Sequence, residues 1–346
     1  MKSRTSAIQI AGTGSFVPAH VVSTELIGSF VERHALGKGA GWALEKLGVR
    51  ERRFAVPLDP RSGHPIGQGD ELEMAEAAAL SALAAATVDA GAIDGLWYVS
   101  CTQSHSQRHF GRLALGLHAR LGLRREAFAF EMDAGCGGAV QAMVAATAQM
   151  QGADLNAVLV VAGNMPSQYF CDWEAYARSG AWLSMYLFGD GAGAVVLRRS
   201  DHRNGGILAG YAANDPAHPL MEFAYPAGES TAMYLIDGRG VVLGFRRYAR
   251  AALECLKRRS PFAFCDIARF YFHQVNAVVL RNFVAEVGIP ERRVALHVDR
   301  YGNLAAAATL VLLDEDVRGG VVAPGDLCVL CAVGAGAQYG AILVEL

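Results

Sequence analysis

A chain of 346 residues that is 52% hydrophobic and only 18% charged is too apolar for extended disorder, and it is long enough for two ordinary domains or one duplicated one. Its 31 basic and 33 acidic side chains leave a formal charge of −2, so no global field draws it to nucleic acid or anionic lipid, and an anionic partner must be held locally. Seven scattered cysteines, opening residues that do not read as a secretory leader and the lack of an apolar run of about 18 residues lead to the expectation of a soluble, cytoplasmic protein with reduced thiols and no membrane partner.

Ser6 to Ile10 reads as a first strand, and Gly12-Thr-Gly-Ser-Phe-Val-Pro18 as loop with no helix-opening phosphate fingerprint behind it, so no dinucleotide site is expected there. Leu26 to Leu36 can form a helix that Gly37-Lys-Gly-Ala-Gly41 breaks. The segment Trp42-Ala-Leu-Glu-Lys-Leu-Gly-Val-Arg-Glu-Arg-Arg53 then sets an aromatic near Lys46, Arg50, Arg52 and Arg53. Two readings stand side by side: a platform for an adenine and its phosphates, or a solvated basic turn. Pro57 to Gly69 is an irregular excursion, and Glu71 to Ala90 is an Ala-rich helix. The strand Gly95 to Ser100 ends in a polar turn, Thr102 to His109, before a helix from Leu113 to Leu121. Strand and helix in alternation argue a largely parallel, covered sheet.

The strand Phe128 to Met132 runs into Ala134-Gly-Cys-Gly-Gly138 and then a helix reaching Met150. Cys136 stands at that corner, where unpaired amides and the helix dipole favour a thiolate. Taken alone it is either a nucleophile or a buried structural cysteine. Ala157 to Ala162 is a buried strand, and Phe188-Gly-Asp-Gly-Ala-Gly-Ala-Val-Val-Leu197 is a Gly-rich turn feeding another strand, which makes it a poor phosphate loop. Gly205 to Phe245 is turn-rich and β-like, followed by a helix from Tyr248 to Arg258 and a strand from Ile267 to Phe272. At that strand's end stands His273-Gln-Val-Asn276.

A helix from Ala277 to Val287 and a short strand from Val294 to Val298 lead to Tyr301-Gly-Asn303, at the head of a helix from Leu304 to Leu313. Two closing strands, Leu327 to Ala332 and Gly340 to Leu346, flank a second Gly-rich turn whose Gly334-Ala-Gly-Ala echoes Gly189-Asp-Gly-Ala-Gly-Ala, as a duplicated α/β unit would. Cys328 and Cys331 have CxxC spacing but face opposite sides of a strand, so no metal is expected.

Cys136, His273 and Asn303 thus occupy the same kind of place, a strand end before a helix, and in a parallel sheet such ends gather at one crevice. A thiolate there can take an acyl group from a thioester while His and Asn donate hydrogen bonds to an oxyanion on a second substrate. Alternatively the His serves as the base that activates the Cys, with the Asn orienting it.

Together these stretches resemble the thiolase superfamily, and most closely its β-ketoacyl-acyl-carrier-protein synthase III branch. The resemblance rests on Gly48-Val-Arg-Glu-Arg-Arg53, Ala134-Gly-Cys-Gly-Gly138, Phe188-Gly-Asp-Gly-Ala-Gly-Ala194, His273-Gln-Val-Asn276, Tyr301-Gly-Asn303 and the final Gly-rich turn, in that order along nearly the whole chain. It implies a five-layered αβαβα fold of two similar halves, here 1–198 carrying the Cys and 199–346 carrying the His and Asn, and a homodimer. It implies ping-pong chemistry with no tightly bound cofactor. An acyl-CoA loads Cys136, and a malonyl thioester, on CoA or on acyl-carrier protein, then loses carbon dioxide while His273 and Asn303 hold its enolate. The amides of Cys136 and Ala335 would form the second oxyanion hole, Ala335 standing where the family usually has Gly. Trp42, Lys46, Arg50 and Asn276 are the implied contacts to CoA or carrier. Lys46 replaces the usual Arg, and Val278 stands where another Arg is expected, which argues against docking of a standard acyl-carrier protein, and the differing stretches from Phe30 to Gly41 and from Val56 to Glu71 point to an acyl donor of its own. The competing expectations are an acyltransferase that delivers to oxygen or nitrogen, against which the retained Asn303 argues, and a non-catalytic dimer partner, against which the intact triad argues.

Overall fold

The computed structural model describes residues 7–102, 112–169, 181–200, 205–218, 221–224, 233–236 and 238–346. The polar turn expected from Thr102 to His109 lies, beyond Thr102, outside them. The strands in chain order are β1 (Ala7–Phe16), β2 (His20–Ser23), β3 (Glu51–Phe54), β4 (Gly95–Val99), β5 (Phe128–Met132), β6 (Ala157–Asn164), β7 (Gly191–Ser200), β8 (Gly206–Asn214), β9 (Met221–Ala224), β10 (Met233–Ile236), β11 (Arg269–Phe272), β12 (Leu327–Val333) and β13 (Gln338–Glu345). The longer helices are α1 (Thr24–Arg33), α2 (Ala40–Leu47), α3 (Glu71–Ala86), α4 (Arg112–Arg120), α5 (Gly138–Gly152), α6 (Gly238–Arg259), α7 (Ala277–Val287) and α8 (Ala308–Arg318).

One sheet runs β1-β7-β6-β4-β5 and a second runs β8-β13-β12-β11. In the first, β1·β7 and β7·β6 are antiparallel and β6·β4 is parallel. In the second, β8·β13 and β13·β12 are antiparallel and β12·β11 is parallel. The same pattern is laid down twice, with β7 and β13 in equivalent places, each fed by one of the two Gly-rich turns. Helices α5 and α8 lie between the sheets and touch strands of both. Helices α3 and α4 cover the outer face of the first sheet, and α6 covers that of the second. The result is five layers, α-β-α-β-α. Because both faces are covered, every residue of β6 is buried, which accounts for its unbroken apolar sequence.

The middle layer must be apolar on two sides, and α5 meets that demand with Ala139, Val140, Ala142, Met143 and Ala146 all buried. The two cysteines of the CxxC spacing separate as strand alternation requires: Cys328 packs in the core between the sheets and Cys331 in the core beneath α6. Asp314 of α8 is fully buried and accepts from Thr13 Oγ1 at 2.9 Å and Ser15 Oγ at 2.5 Å, pinning the middle layer to β1. Among the described residues no helix is long and apolar enough to cross a membrane.

Several boundaries differ from the sequence expectation. Strand β1 continues through Gly12 and Gly14 to Phe16, because those glycines let Ala78, Ala82 and Ala86 of α3 lie directly on the strand; any Cβ would collide with the helix backbone. Helix α6 begins ten residues before Tyr248, absorbing Gly240 and Gly244. Val294 to Val298 is no strand, only a single parallel bridge from Val294 to Phe270. The helix expected from Leu304 starts at Ala308, after a tight turn in which Ala305 is held at φ +49.

Candidate active site

Strands β4 and β5 are parallel neighbours, paired as far as Val99 and Met132. Beyond Met132 the chain makes one tight turn, Gly135–Gly137, before α5. Gly135 sits at φ +52, a conformation open to Gly at little cost. The turn is pressed against the turn between β12 and β13: a Cβ at Gly137 would stand 2.6 Å from the Gln338 carbonyl oxygen, and one at Gly334 would stand 2.6 Å from the Ala134 carbonyl oxygen. This backbone-to-backbone approach brings Ala335 beside Cys136.

His273 follows β11, and its amide donates to Cys331 O at 2.8 Å, so it stands at the end of the paired β11 and β12. Gln274 fixes the turn from within. Its Nε2 donates to Phe272 O at 2.9 Å, and its Oε1 accepts from the amides of His297 and Val298, tying the His segment to the one that leads to Asn303. Asn303 is clamped at the crossing with the Gly-rich segment: its amide donates to Leu187 O at 2.7 Å and its carbonyl accepts from Gly189 N at 3.2 Å. Gly189 is needed because a Cβ there would strike the Tyr301 carbonyl oxygen.

The amide orientation of Asn303 is set by Ala305, whose N–H donates to Asn303 Oδ1 at 2.9 Å. Ala305 itself has a left-handed backbone, uncommon for a residue with a Cβ. His273 Nε2 lies 3.3 Å from the same oxygen, which assigns the proton to Nε2; Nδ1 is buried without a partner. Both Nε2–H of His273 and the NH2 of Asn303 are therefore donors.

Cys136, His273, Asn303 and Ala335 line one cavity, whose remaining side chains are apolar: Leu187, Phe188, Val241, Phe245, Val275 and Val333. Cys136, His273 and Asn303 are each at most 5% exposed. Contact with the Cys101 thiol, followed by the charge and hydrogen bond of His273, holds the Cys136 thiol well below the usual thiol range, against the opposing effect of burial. The Cys101 thiol moves the other way, raised by the same contact and by burial. The direction is consistent with the surroundings, since His273 and the residue's own amide favour charge on Cys136.

The remaining expected contacts lie apart from the reacting groups. Trp42 of α2 is half-buried edge-on against Trp182, with centroids 5.5 Å apart. Lys46 is exposed and pairs with Glu45 at 2.6 Å, and Arg50 is exposed and pairs with Asp299 at 2.7 Å. Such surface pairs open at little cost. Asn276 is buried and caps α7, its Oδ1 accepting from Val279 N at 2.8 Å.

Arg52 is a correction. It does not join a basic surface cluster but is fully buried, donating to Val22 O, Thr24 Oγ1 and Tyr186 O at 3.1, 2.9 and 2.7 Å. Burial lowers its guanidinium to about 10. Its side chain lies directly under Gly189 and Gly302, where a Cβ would meet Arg52 Cβ at 3.3 and 2.9 Å, so it braces the crossing that carries Asn303. The signal in the sequence is parity: in β3, Arg52 and Phe54 share a face and both are buried. Gln274, which ties the His273 and Asn303 segments together, and Cys101, which contacts Cys136, are positions that the sequence does not single out. Gln274 is visible there only as the second letter of the His motif. Cys101, at the end of β4, carries only its position.

Two family models match the chain. Residues 130–216 match 3-Oxoacyl-[acyl-carrier-protein (ACP)] synthase III, and residues 258–346 match the C-terminal model of the same description. A beta-ketoacyl-[acyl-carrier-protein] synthase III of Chelativorans sp. is 30% identical over 346 residues, covering 97% of this chain and 98% of that protein. The crystal structure of 3-oxoacyl-[acyl-carrier-protein] synthase III from Aquifex aeolicus superposes with a TM-score of 0.82 at 25% identity, covering 98% of this chain and 100% of that one. The priming beta-ketosynthase of the R1128 polyketide pathway gives a TM-score of 0.82 at 25% identity over 99% and 97% of the two chains. The five layers are thus those of the thiolase-like fold.

Proposed function

Since the chain belongs to the 3-oxoacyl-[acyl-carrier-protein] synthase III family of condensing acyltransferases, we propose that it joins an acyl group from acyl-CoA to a malonyl thioester with loss of carbon dioxide. Cys136 thiolate attacks the acyl-CoA carbonyl, and CoA leaves as its thiol. The malonyl thioester then breaks its bond to the carboxylate, and the electron pair becomes an enolate whose oxygen accepts from His273 Nε2–H and the Asn303 NH2. The carbanion attacks the acyl-Cys136 carbonyl. The amides of Cys136 and Ala335 hold the tetrahedral oxyanion, and its collapse expels the Cys136 thiolate and releases a β-ketoacyl thioester.

The observation that carries this reading is the pair of donors, His273 Nε2–H and the Asn303 NH2, in one apolar cavity with a thiol whose surroundings favour the thiolate. A hydrolase would need the His as base and a path for water; a second-substrate enolate needs donors and dryness. The same proposal takes Trp42, Lys46, Arg50 and Asn276 as the side of approach for CoA or carrier, no tightly bound cofactor, a cytoplasmic homodimer, and halves divided near residue 198.

Intact mass after exposure to acyl-CoAs of graded length should show one acyl adduct that Cys136→Ala abolishes. Adding malonyl-CoA or malonyl-acyl-carrier protein should then release carbon dioxide and β-ketoacyl thioester in equal amounts. Acyl loading with no carbon dioxide from either malonyl donor would overturn condensation in favour of transfer to oxygen or nitrogen.

A further inference from the structure

Condensation uses one thiol, yet a second stands beside it. Cys101 leaves the end of β4, and that strand is flanked by β5, which delivers Cys136, and by β6, which ends at Asn164. The amide and the thiol of Cys101 both lie on Asn164 Oδ1, at 3.2 and 3.1 Å, so the residue is held from the β6 side. On the other side its thiol is hydrogen-bonded to that of Cys136. Neither is in a disulfide. Cys101 lies two residues beyond the last paired position of β4, and Cys136 lies in the turn just beyond the last paired position of β5, so the two stand past the same end of neighbouring strands. Cys136 is the one whose surroundings, His273 and its own amide, favour the thiolate, which suits it to attack and leaves Cys101 to resolve.

We propose that Cys101 and Cys136 form a reversible oxidation site, in which a hydroperoxide oxidises Cys136 and Cys101 closes an intrachain disulfide over the nucleophile. The Cys136 thiolate attacks the distal peroxide oxygen, the O–O bond breaks, and the leaving oxyanion takes a proton to become water or an alcohol. Cys101 sulfur then attacks the sulfur of the resulting sulfenic acid. The S–O bond breaks, and hydroxide leaves with the Cys101 proton as water. The two sulfurs together lose two electrons and the peroxide gains them. The disulfide stops Cys136 short of irreversible sulfinic acid and is undone by a dithiol. This reaction goes beyond condensation and does not depend on it, because it concerns the enzyme before any acyl group is loaded.

The test treats the full chain and its Cys101→Ser variant with hydrogen peroxide and then dithiothreitol. Non-reducing peptide maps and iodoacetamide labelling of Cys136 report the outcome. In the wild type, the Cys101 and Cys136 peptides should appear joined, two hydrogen masses lighter than their sum, with labelling of Cys136 lost and then fully restored by dithiothreitol. In Cys101→Ser, Cys136 should pass to sulfinic acid and stay unlabelled. A wild-type map with sulfinic Cys136 and an unlinked, alkylatable Cys101 overturns the proposal, as does full recovery of the variant. The wild-type map decides alone if the variant does not fold. Labelling rather than acylation is read, so failure here is distinct from failure of the condensation reading.

Discussion

At the level of single residues, the depressed Cys136 thiol has three sources, the Cys101 contact first, His273 second and its own amide third, and the first two can be separated. A depressed pKa keeps the thiolate populated at lower pH; removing a cause moves the titration upward. His273→Ala should therefore move the pH profile of Cys136 alkylation to higher pH and slow the reaction at neutral pH, about tenfold for every pH unit by which the profile moves. The Cys101 contact remains, so the profile should stop short of an ordinary thiol. A variant profile that overlays the wild type would show that His273 does not act on the thiol. The three side chains that the motifs singled out are those the fold brings to one cavity, because each carries its chemistry in its own identity at a strand end. Arg52 departs from its expectation for the opposite reason: its charge suggests the surface, and only its parity with Phe54 places it in the core.

Elements that depend on another part of the chain are the least legible in sequence. Helix α6 begins well before Tyr248 because its early turns supply Val241 and Phe245 to the cavity wall, a tertiary reward that outweighs two interior glycines at about 1 kcal/mol each. Strand β1 hides its glycines' purpose because that purpose is the approach of α3, more than fifty residues later. The same dependence yields a prediction at the turn between β12 and β13. Gly334→Ala would place a methyl group 2.6 Å from Ala134 O and 2.8 Å from Gly137 N, both in the nucleophile's turn. The two turns must part. Unfolding stability should fall by about 1–3 kcal/mol, while acyl loading of Cys136 should fall by a larger factor, on the order of a hundredfold, as the Ala335 amide leaves its station. Urea titration and burst-phase acylation would measure the two, and an unchanged acylation rate would show that the turn does not position the oxyanion donor.

For the molecule as a whole, stability against pH is set in part by carboxylates buried in the first sheet's covering layer. Glu71 opens α3 and is buried with Tyr98 donating to Oε1 at 2.8 Å and Thr102 to Oε2. Burial raises it from 4.5 to about 7, although the hydrogen bonds from Thr102, Tyr98 and Ser100 oppose the rise. Asp190, at the start of β7, is raised to about 6 by burial, against hydrogen bonds from Ser167 and the Ala55 amide. Between the unfolded and folded values the native state binds more protons than the unfolded chain, so unfolding free energy falls as pH rises through that window. For Glu71 the full loss between 4.5 and about 7 is roughly 3 kcal/mol. The Cys136 thiol has the opposite sign, since a lowered pKa adds stability as pH rises toward the unfolded thiol's value. Glu71→Gln is nearly the same size and shape, keeps an acceptor for Tyr98, and cannot ionise. The variant should therefore match the wild type near pH 5 and exceed it near pH 8 by up to the same roughly 3 kcal/mol, with the wild type's downward slope flattened. Urea midpoints at the two pH values decide it, and parallel slopes in the two proteins would mean that Glu71 is not held protonated by the fold.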